Sequence, residues 1–186
     1  MSAASGTRRL VILDRDGVIN QDSPDFVKSA DEWLPIPGSI GAIARLSRAG
    51  YTVAVASNQS GIARGLFDRN SLRAMHRKLR SLVGSQGGRI DRIVVCAHGP
   101  NDGCGCRKPR PGLLERLAHH YGIALDGVPA VGDSLRDLQA AAAAGAMPVL
   151  VRTGNGEATA RALPPEFRAI PVYDDLAAFA TDLLGE

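Results

Sequence analysis

Short continuous apolar runs and stretches with apolar residues every three or four positions alternate along this chain. Leu10-Val11-Ile12-Leu13, entered through Arg8-Arg9, reads as a strand buried on both faces. Pro37-Gly38-Ser39 opens a helix carrying Ile40, Ile43, Ala44 and Leu46, and Gly50 closes it. Residues 51–56 make a second strand. Asp68 or Asn70 caps a helix with Leu72, Met75, Leu79 and Leu82 on one face, and residues 90–96 form a third strand. Pro111 starts and Gly122 ends the next helix, before a fourth strand at 128–132. An alanine-rich helix follows over 134–145, with Ala140 to Ala144 read as close packing on the sheet, and then a fifth strand at 148–151. An edge strand at 170–172 and a helix over 174–184 complete the pattern. The rhythm predicts an α/β fold: one domain over residues 1–186, a doubly wound parallel sheet with helices on both faces.

Composition narrows what such a domain could do. The 186 residues are 45% hydrophobic, enough for a sizeable core. Lys plus Arg is 22 against 19 for Asp plus Glu, a net +3, which is mild for a nucleic-acid binder. Eight aromatics offer little for base stacking. No apolar run approaches a membrane span, and Met1 to Thr7 lacks the apolar core of a secretory signal. The expectation is a soluble cytoplasmic protein, a monomer with no nucleic-acid or membrane partner.

The chemistry collects at strand ends and in one loop. The first strand delivers Asp14-Arg15-Asp16-Gly17, two carboxylates where open α/β sheets keep their ligand sites. The second strand ends in Ser57-Asn58-Gln59 and the fourth in Gly132-Asp133-Ser134. All three cysteines fall in one stretch: Cys96, His98, Cys104 and Cys106 are spaced as a closed Cys3His zinc site, on a loop over 96–108 too rich in turn residues to be core. Arg107 and Lys108 follow the last ligand directly, so a metal there would fix two cations in space. Lys108 is one of only three lysines, and a compact ammonium suits a phosphoryl oxygen.

Taken in order, DRDGVIN, Ser57, Lys108 and GDSLRD resemble the four motifs of the haloacid dehalogenase superfamily of phosphatases, and the resemblance spans essentially the whole chain. It implies a Rossmann-like fold, with Asp14 as nucleophile forming an aspartyl-phosphate. Asp16 would be the general acid and base. It also implies Mg2+ held by the Asp14 carboxylate, the Asp16 main-chain carbonyl and Asp133, and phosphoryl oxygens held by Ser57 and Lys108. The segments between strands are too short for a cap domain. The site should be open, covered by loop 21–34 and the zinc loop, with Asp22, Asp25, Asn58, Gln59, Ser60, Arg107 and Ser134 as substrate contacts. Arg107 is the candidate for a second anionic group.

Within the superfamily, SNQSGIARG and CRKPRPG resemble the zinc-containing branch that dephosphorylates heptose 1,7-bisphosphate or histidinol phosphate. The resemblance favours a sugar-phosphate substrate, removal of the 7-phosphate of the heptose bisphosphate, and a place in supplying activated heptose for lipopolysaccharide cores. Ser134 stands where some of the heptose enzymes carry Lys. A histidinol-phosphate phosphatase, a nucleic-acid 3'-phosphatase and a non-catalytic zinc- and phosphate-binding module are the alternatives. The module has no use for the second aspartate. Arg69, Arg73, Arg77, Lys78 and Arg80 read as a solvated helix face, and His76, His119 and His120 as surface residues. Asp137 either supports Lys108 or Asn58 from behind or lies exposed.

Overall fold

A computed structural model describes residues 9–186, so Arg8 and the segment at residues 1–7 lie outside the described residues. The elements follow in strict alternation: β1 (Leu10–Leu13), α1 (Ser39–Arg48), β2 (Thr52–Asn58), α2 (Arg69–Ser85), β3 (Arg92–Cys96), α3 (Gly112–Tyr121), β4 (Pro129–Gly132), α4 (Leu135–Ala143), β5 (Met147–Val151), α5 (Gly156–Arg161), β6 (Val172–Tyr173) and α6 (Leu176–Leu184). All six strands are parallel, in the order β3-β2-β1-β4-β5-β6. The chain winds one way from β1 to β3 and the other way from β4 to β6. The order therefore reverses between β1 and β4, where their carboxyl ends open a crevice.

Each strand serves two cores, which is why the apolar runs are continuous rather than alternating. From β1, Val11 and Leu13 pack with α1, α2 and α6, while Leu10 and Ile12 pack with α3 and α4. On α2 the buried stripe is Leu72, Met75, Leu79 and Val83, and Leu82 is half-buried at its margin. The stripe advances by three, four and four residues, so Val83 keeps to the core face and Leu82 turns off it. Asp68 is the cap of this helix, its carboxylate accepting from Ser71 N at 2.7 Å. Of the alanines of α4, Ala140 and Ala141 press on the sheet beside the buried Leu138, whereas Ala142 and Ala143 are exposed. The edge strand lies slightly later than expected, and α5 and a short 3-10 turn at Pro165–Phe167 carry no periodic signal strong enough to announce them.

No cap domain is inserted among the described residues. Loop 21–34 is pinned instead by the fully buried Trp33 and by Lys78, whose Nζ donates to the carbonyls of Ala30 at 2.6 Å and Trp33 at 2.8 Å. Lys78 is thus a clamp on this loop rather than a solvated charge, and Arg80 likewise donates to the Ile90 carbonyl. His76 also departs from expectation. It is largely buried, its Nε2 has no hydrogen-bond partner, and burial beside Arg15 and Arg80 pushes it down to about 4. His119 and His120 are exposed.

Candidate active site

Three carboxylates and one lysine meet at the reversal point of the sheet. Asp14 leaves β1 with its N–H bonded to the Val131 carbonyl of β4 at 2.8 Å, and Asp133 follows β4 directly. Lys108 Nζ, 4% exposed, lies 2.8 Å from Asp14 Oδ1 and 2.8 Å from Asp137 Oδ1. The other oxygen of Asp137 accepts from Ser134 N at 3.0 Å and Ser134 Oγ at 2.6 Å. Both oxygens of Asp137 are therefore engaged, and it supports Lys108 from the first turn of α4. The packing around Asp133 is close. A Cβ on Gly17 would stand 2.1 Å from Asp133 Oδ2, and one on Gly154 2.3 Å, so this carboxylate needs glycine at both positions. Asn155 donates to the same oxygen from N at 2.8 Å and Nδ2 at 3.2 Å.

One buried cation cannot neutralise this group. Burial, only partly offset by Lys108 and reinforced by Asp137 and Asp133, pushes Asp14 up to about 8. Burial and Asp137 push Asp133 up to about 7, against the bonds from Asn155. Lys108 holds Asp137 below its usual range despite burial, and Lys108 itself is raised by the two carboxylates against its own burial. Asp14, Asp133 and Asp137 place carboxylate oxygens within 4.8 Å of one another. With Asp137 committed to Lys108 and Ser134, the pair Asp14 and Asp133 is a hard-oxygen donor set that suits Mg2+.

A pH dependence follows from the same crowding. The folded chain holds the Asp14 proton up to about 8, whereas the unfolded chain releases it near the ordinary 3.8. Below about 7 Asp133 acts in the same sense. The folded state is then the better proton binder, so these groups make stability fall as pH rises through this window. Thermal melts between about pH 6.5 and 8 should show that fall without divalent cation and lose it with Mg2+ added. A flat profile in the absence of Mg2+ would contradict the assignment of this donor set.

Asp16 is held differently. Arg15, 1% exposed, bonds its carboxylate through Nη2 at 2.8 and 3.0 Å and through Nε at 3.2 Å. Asn20 Nδ2 adds a bond at 2.9 Å and Gln59 Nε2 one at 2.7 Å. Burial pushes Asp16 up, but the Arg15 charge and these bonds outweigh it and keep the carboxyl below the usual range. Two residues of the second-strand motif are also spent on positioning. Asn58 makes a reciprocal pair with the Lys108 backbone, Nδ2 to O at 3.1 Å and N to Oδ1 at 3.1 Å, tying the zinc loop to β2. Ser57 is fully buried and accepts from Gln59 at 2.8 Å, while the cleft wall here is made by Asn58, Gln59 and Ser60.

The zinc loop converges as its spacing implies. Cys96 Sγ lies 3.5 Å from His98 Nδ1 and 3.7 Å from Cys104 Sγ, and His98 Nδ1 lies 3.3 Å from Cys106 Sγ. Tetrahedral zinc with Zn–S bonds of about 2.3 Å separates its sulfurs by about 3.7 Å, so the four atoms fit that ion. Arg110 closes the loop by donating to the Cys104 carbonyl.

A cleft of about 270 Å3 lies over these groups, and Asp22, Ser60, Arg107 and Ser134 line it. Asp25 does not, because it stands on the exposed part of loop 21–34, where its carbonyl receives Lys28. The Ser134 hydroxyl is occupied by Asp137, and both N–H groups of Gln59 are occupied within the protein, so neither side chain has that donor to offer a substrate. An adjoining hollow of about 390 Å3 shares Arg107, Lys108 and Arg136 with the cleft and adds Arg110. Arg15, Arg64, Arg136 and Asn155 were absent from the sequence-based set. Asn155 was within reach of the strand-end argument, since Arg152-Thr153-Gly154-Asn155 directly follows β5. The arginines carry no such signal in a chain with nineteen of them.

The chain matches the family model described as polynucleotide kinase 3 phosphatase over residues 10–134 and that described as HAD-hydrolase-like over 105–179. It is 59% identical over 178 residues to the D-glycero-beta-D-manno-heptose-1,7-bisphosphate 7-phosphatase of Pseudomonas aeruginosa, covering 96% of this chain and 99% of that one. Its structure is similar to that of D,D-heptose 1,7-bisphosphate phosphatase from Bordetella bronchiseptica complexed with magnesium and phosphate. The TM-score is 0.92 at 56% identity over 95% of this chain and 98% of the other. The corresponding Burkholderia thailandensis structure aligns with a TM-score of 0.74 at 46% identity, over 96% and 100% of the two chains.

Proposed function

This chain belongs to the HAD-like phosphatases, alongside the heptose 1,7-bisphosphate phosphatases, and from that premise we infer that it removes the 7-phosphate of D-glycero-D-manno-heptose 1,7-bisphosphate. The observation that carries the substrate is the identity of 56–59% to such enzymes along 95% or more of the chain. The reaction follows from the site. Asp14, at the open end of β1, attacks phosphorus and forms an aspartyl-phosphate, dividing one displacement into two easier ones. Lys108, already paired with Asp14, neutralises the oxygens of the group in transfer. Asp16 is ionised in the free enzyme, the form that takes a proton from water in the second step. A phosphate dianion arriving beside it raises its proton affinity and prepares it to protonate the sugar alkoxide in the first.

The Asp14 and Asp133 carboxylates and the Asp16 main-chain carbonyl would hold Mg2+, which when bound offsets the charge of the phosphoryl group. Cys96, His98, Cys104 and Cys106 would hold zinc as a structural staple. Metal analysis of the purified protein should find zinc at one per chain, and Cys104→Ser should lose it. Zinc-free protein with unchanged melting would refute the staple. We further propose a cytoplasmic monomer serving activated-heptose supply. Among the described residues no helix is long and apolar enough to cross a membrane.

The polynucleotide 3'-phosphatase model, matching residues 10–134, supports a second reading with the same chemistry and a different leaving group. Phosphate release from heptose 1,7-bisphosphate, histidinol phosphate and a 3'-phosphorylated oligonucleotide decides between them. The bisphosphate should lead in kcat/KM by more than tenfold, and a lead by either other substrate overturns the proposal. Arg107 faces both cleft and hollow, where the guanidinium fork suits the second phosphate. Arg107→Ala should cost the bisphosphate about 1.5 to 3 kcal/mol in kcat/KM and leave the monophosphate nearly unaffected. Equal losses on both substrates would remove Arg107 from substrate selection.

A further inference from the structure

The hydrogen bonds behind the cleft have a direction that can be worked out from the donors alone. Arg15 is buried, cannot be deprotonated and has only donors to offer. Its Nη2 lies 3.2 Å from the Gln59 side chain, so the amide atom facing it must be the oxygen. The amide nitrogen is then forced to the other side, where it meets Asp16 Oδ2 at 2.7 Å and Ser57 Oγ at 2.8 Å. A carboxylate only accepts, so this orientation is consistent at both ends, and each of the two N–H hydrogens has one acceptor. Gln59 is 4% exposed and has no further donor, while Asp16 keeps 20% of its side chain at the cleft.

The geometry points to Gln59, locked in orientation by the buried Arg15, as the positioning residue that aims Asp16 at the leaving oxygen of the substrate. Asp16 has two oxygens to place and three neighbours to place them. Arg15 and Asn20 hold Oδ1, and Arg15 and Gln59 hold Oδ2. Arg15 and Asn20 come from the same tight turn as Asp16 and move with it. Gln59 comes from the end of β2, across the cleft floor, and is the one holder that fixes the carboxylate to a second strand of the sheet. Ser57, from the same strand end, takes the other N–H of the amide and keeps it from rotating. Arg15 therefore acts twice, once on the acid and once on the residue that aims it.

This inference rests on the phosphatase reading, and it separates from a general structural role by its dependence on the leaving group. A sugar alkoxide needs a well-placed acid, whereas p-nitrophenolate departs with little protonation. Gln59→Met keeps the volume and removes both donors. It should lower kcat on heptose 1,7-bisphosphate by about tenfold to hundredfold, a part of the roughly 100- to 10,000-fold that general acid catalysis supplies. Turnover of p-nitrophenyl phosphate should fall less than about threefold, with KM for both substrates little changed. Should Gln59→Met melt early, the kcat ratio between the two substrates serves instead. The activity is then read below the variant's own melting temperature, where the ratio of the two losses still shows the same selective defect. Equal loss on both substrates, or none on either, overturns the positioning role and leaves the phosphatase reading standing. Failure of the unmodified protein to release phosphate from any monoester overturns both.

Discussion

Asp14→Asn should reduce phosphate release by about 10,000-fold or more, because an amide is no nucleophile toward phosphorus and the neighbouring carboxylates are committed, Asp137 to Lys108 and Ser134 and Asp133 to Asn155. The substitution should not cost stability. Asp14 is the carboxyl pushed up to about 8, chiefly by burial, so a neutral isostere removes a charge the site can barely hold without a metal. Melting temperature at pH 8 without Mg2+ should equal or exceed that of the unmodified protein, and calorimetry should still register phosphate binding. Residual turnover within tenfold of the unmodified enzyme would exclude Asp14 as nucleophile. So would a beryllium fluoride adduct trapped on another residue.

Lys108→Met should be costly in two separate ways. Lys108 is buried between Asp14 and Asp137, and its loss leaves two carboxylates without their shared cation. Removing one partner of a buried ion pair costs about 3–5 kcal/mol, so a drop of that order in unfolding free energy is expected. Turnover should fall about 100- to 1,000-fold on every phosphate ester alike, since the partner of Lys108 is the group being transferred. Adding Asp137→Asn to Lys108→Met should recover much of the stability and none of the turnover. If the double variant is no more stable than the single one, Asp137 and Lys108 are not coupled as described. Selective loss on the bisphosphate alone would move Lys108 from the phosphoryl group to the second phosphate.

The features legible in the chain itself are those whose parts lie close together in it. Cys96, His98, Cys104 and Cys106 span eleven residues of one loop, and their spacing alone brings four ligand atoms within 4.8 Å. Asp14 and Asp16 follow a run that buries all four residues, so their place at a strand end is dictated by the strand. The βαβ rhythm leads to the parallel sheet, since crossover helices must cover both faces. Strand order then brings Asp133 beside Asp14.

What only the tertiary structure decides is which polar side chains are left for a substrate and which are consumed in holding others. Asn58 reads as a substrate contact, and besides lining the cleft it clasps the Lys108 backbone fifty positions away. Gln59 and Ser134 have lost their donors to Asp16, Ser57 and Asp137. Asp22 lines the cleft and Asp25, three residues on, does not. Arg15 looks like one more arginine until its burial against Asp16 is seen. Local spacing sets which residues reach an element's end and which metal they could share. It carries no information on the pairing of hydrogen-bond donors across strands and loops, because that pairing is settled by ångström-scale distances between segments far apart in sequence.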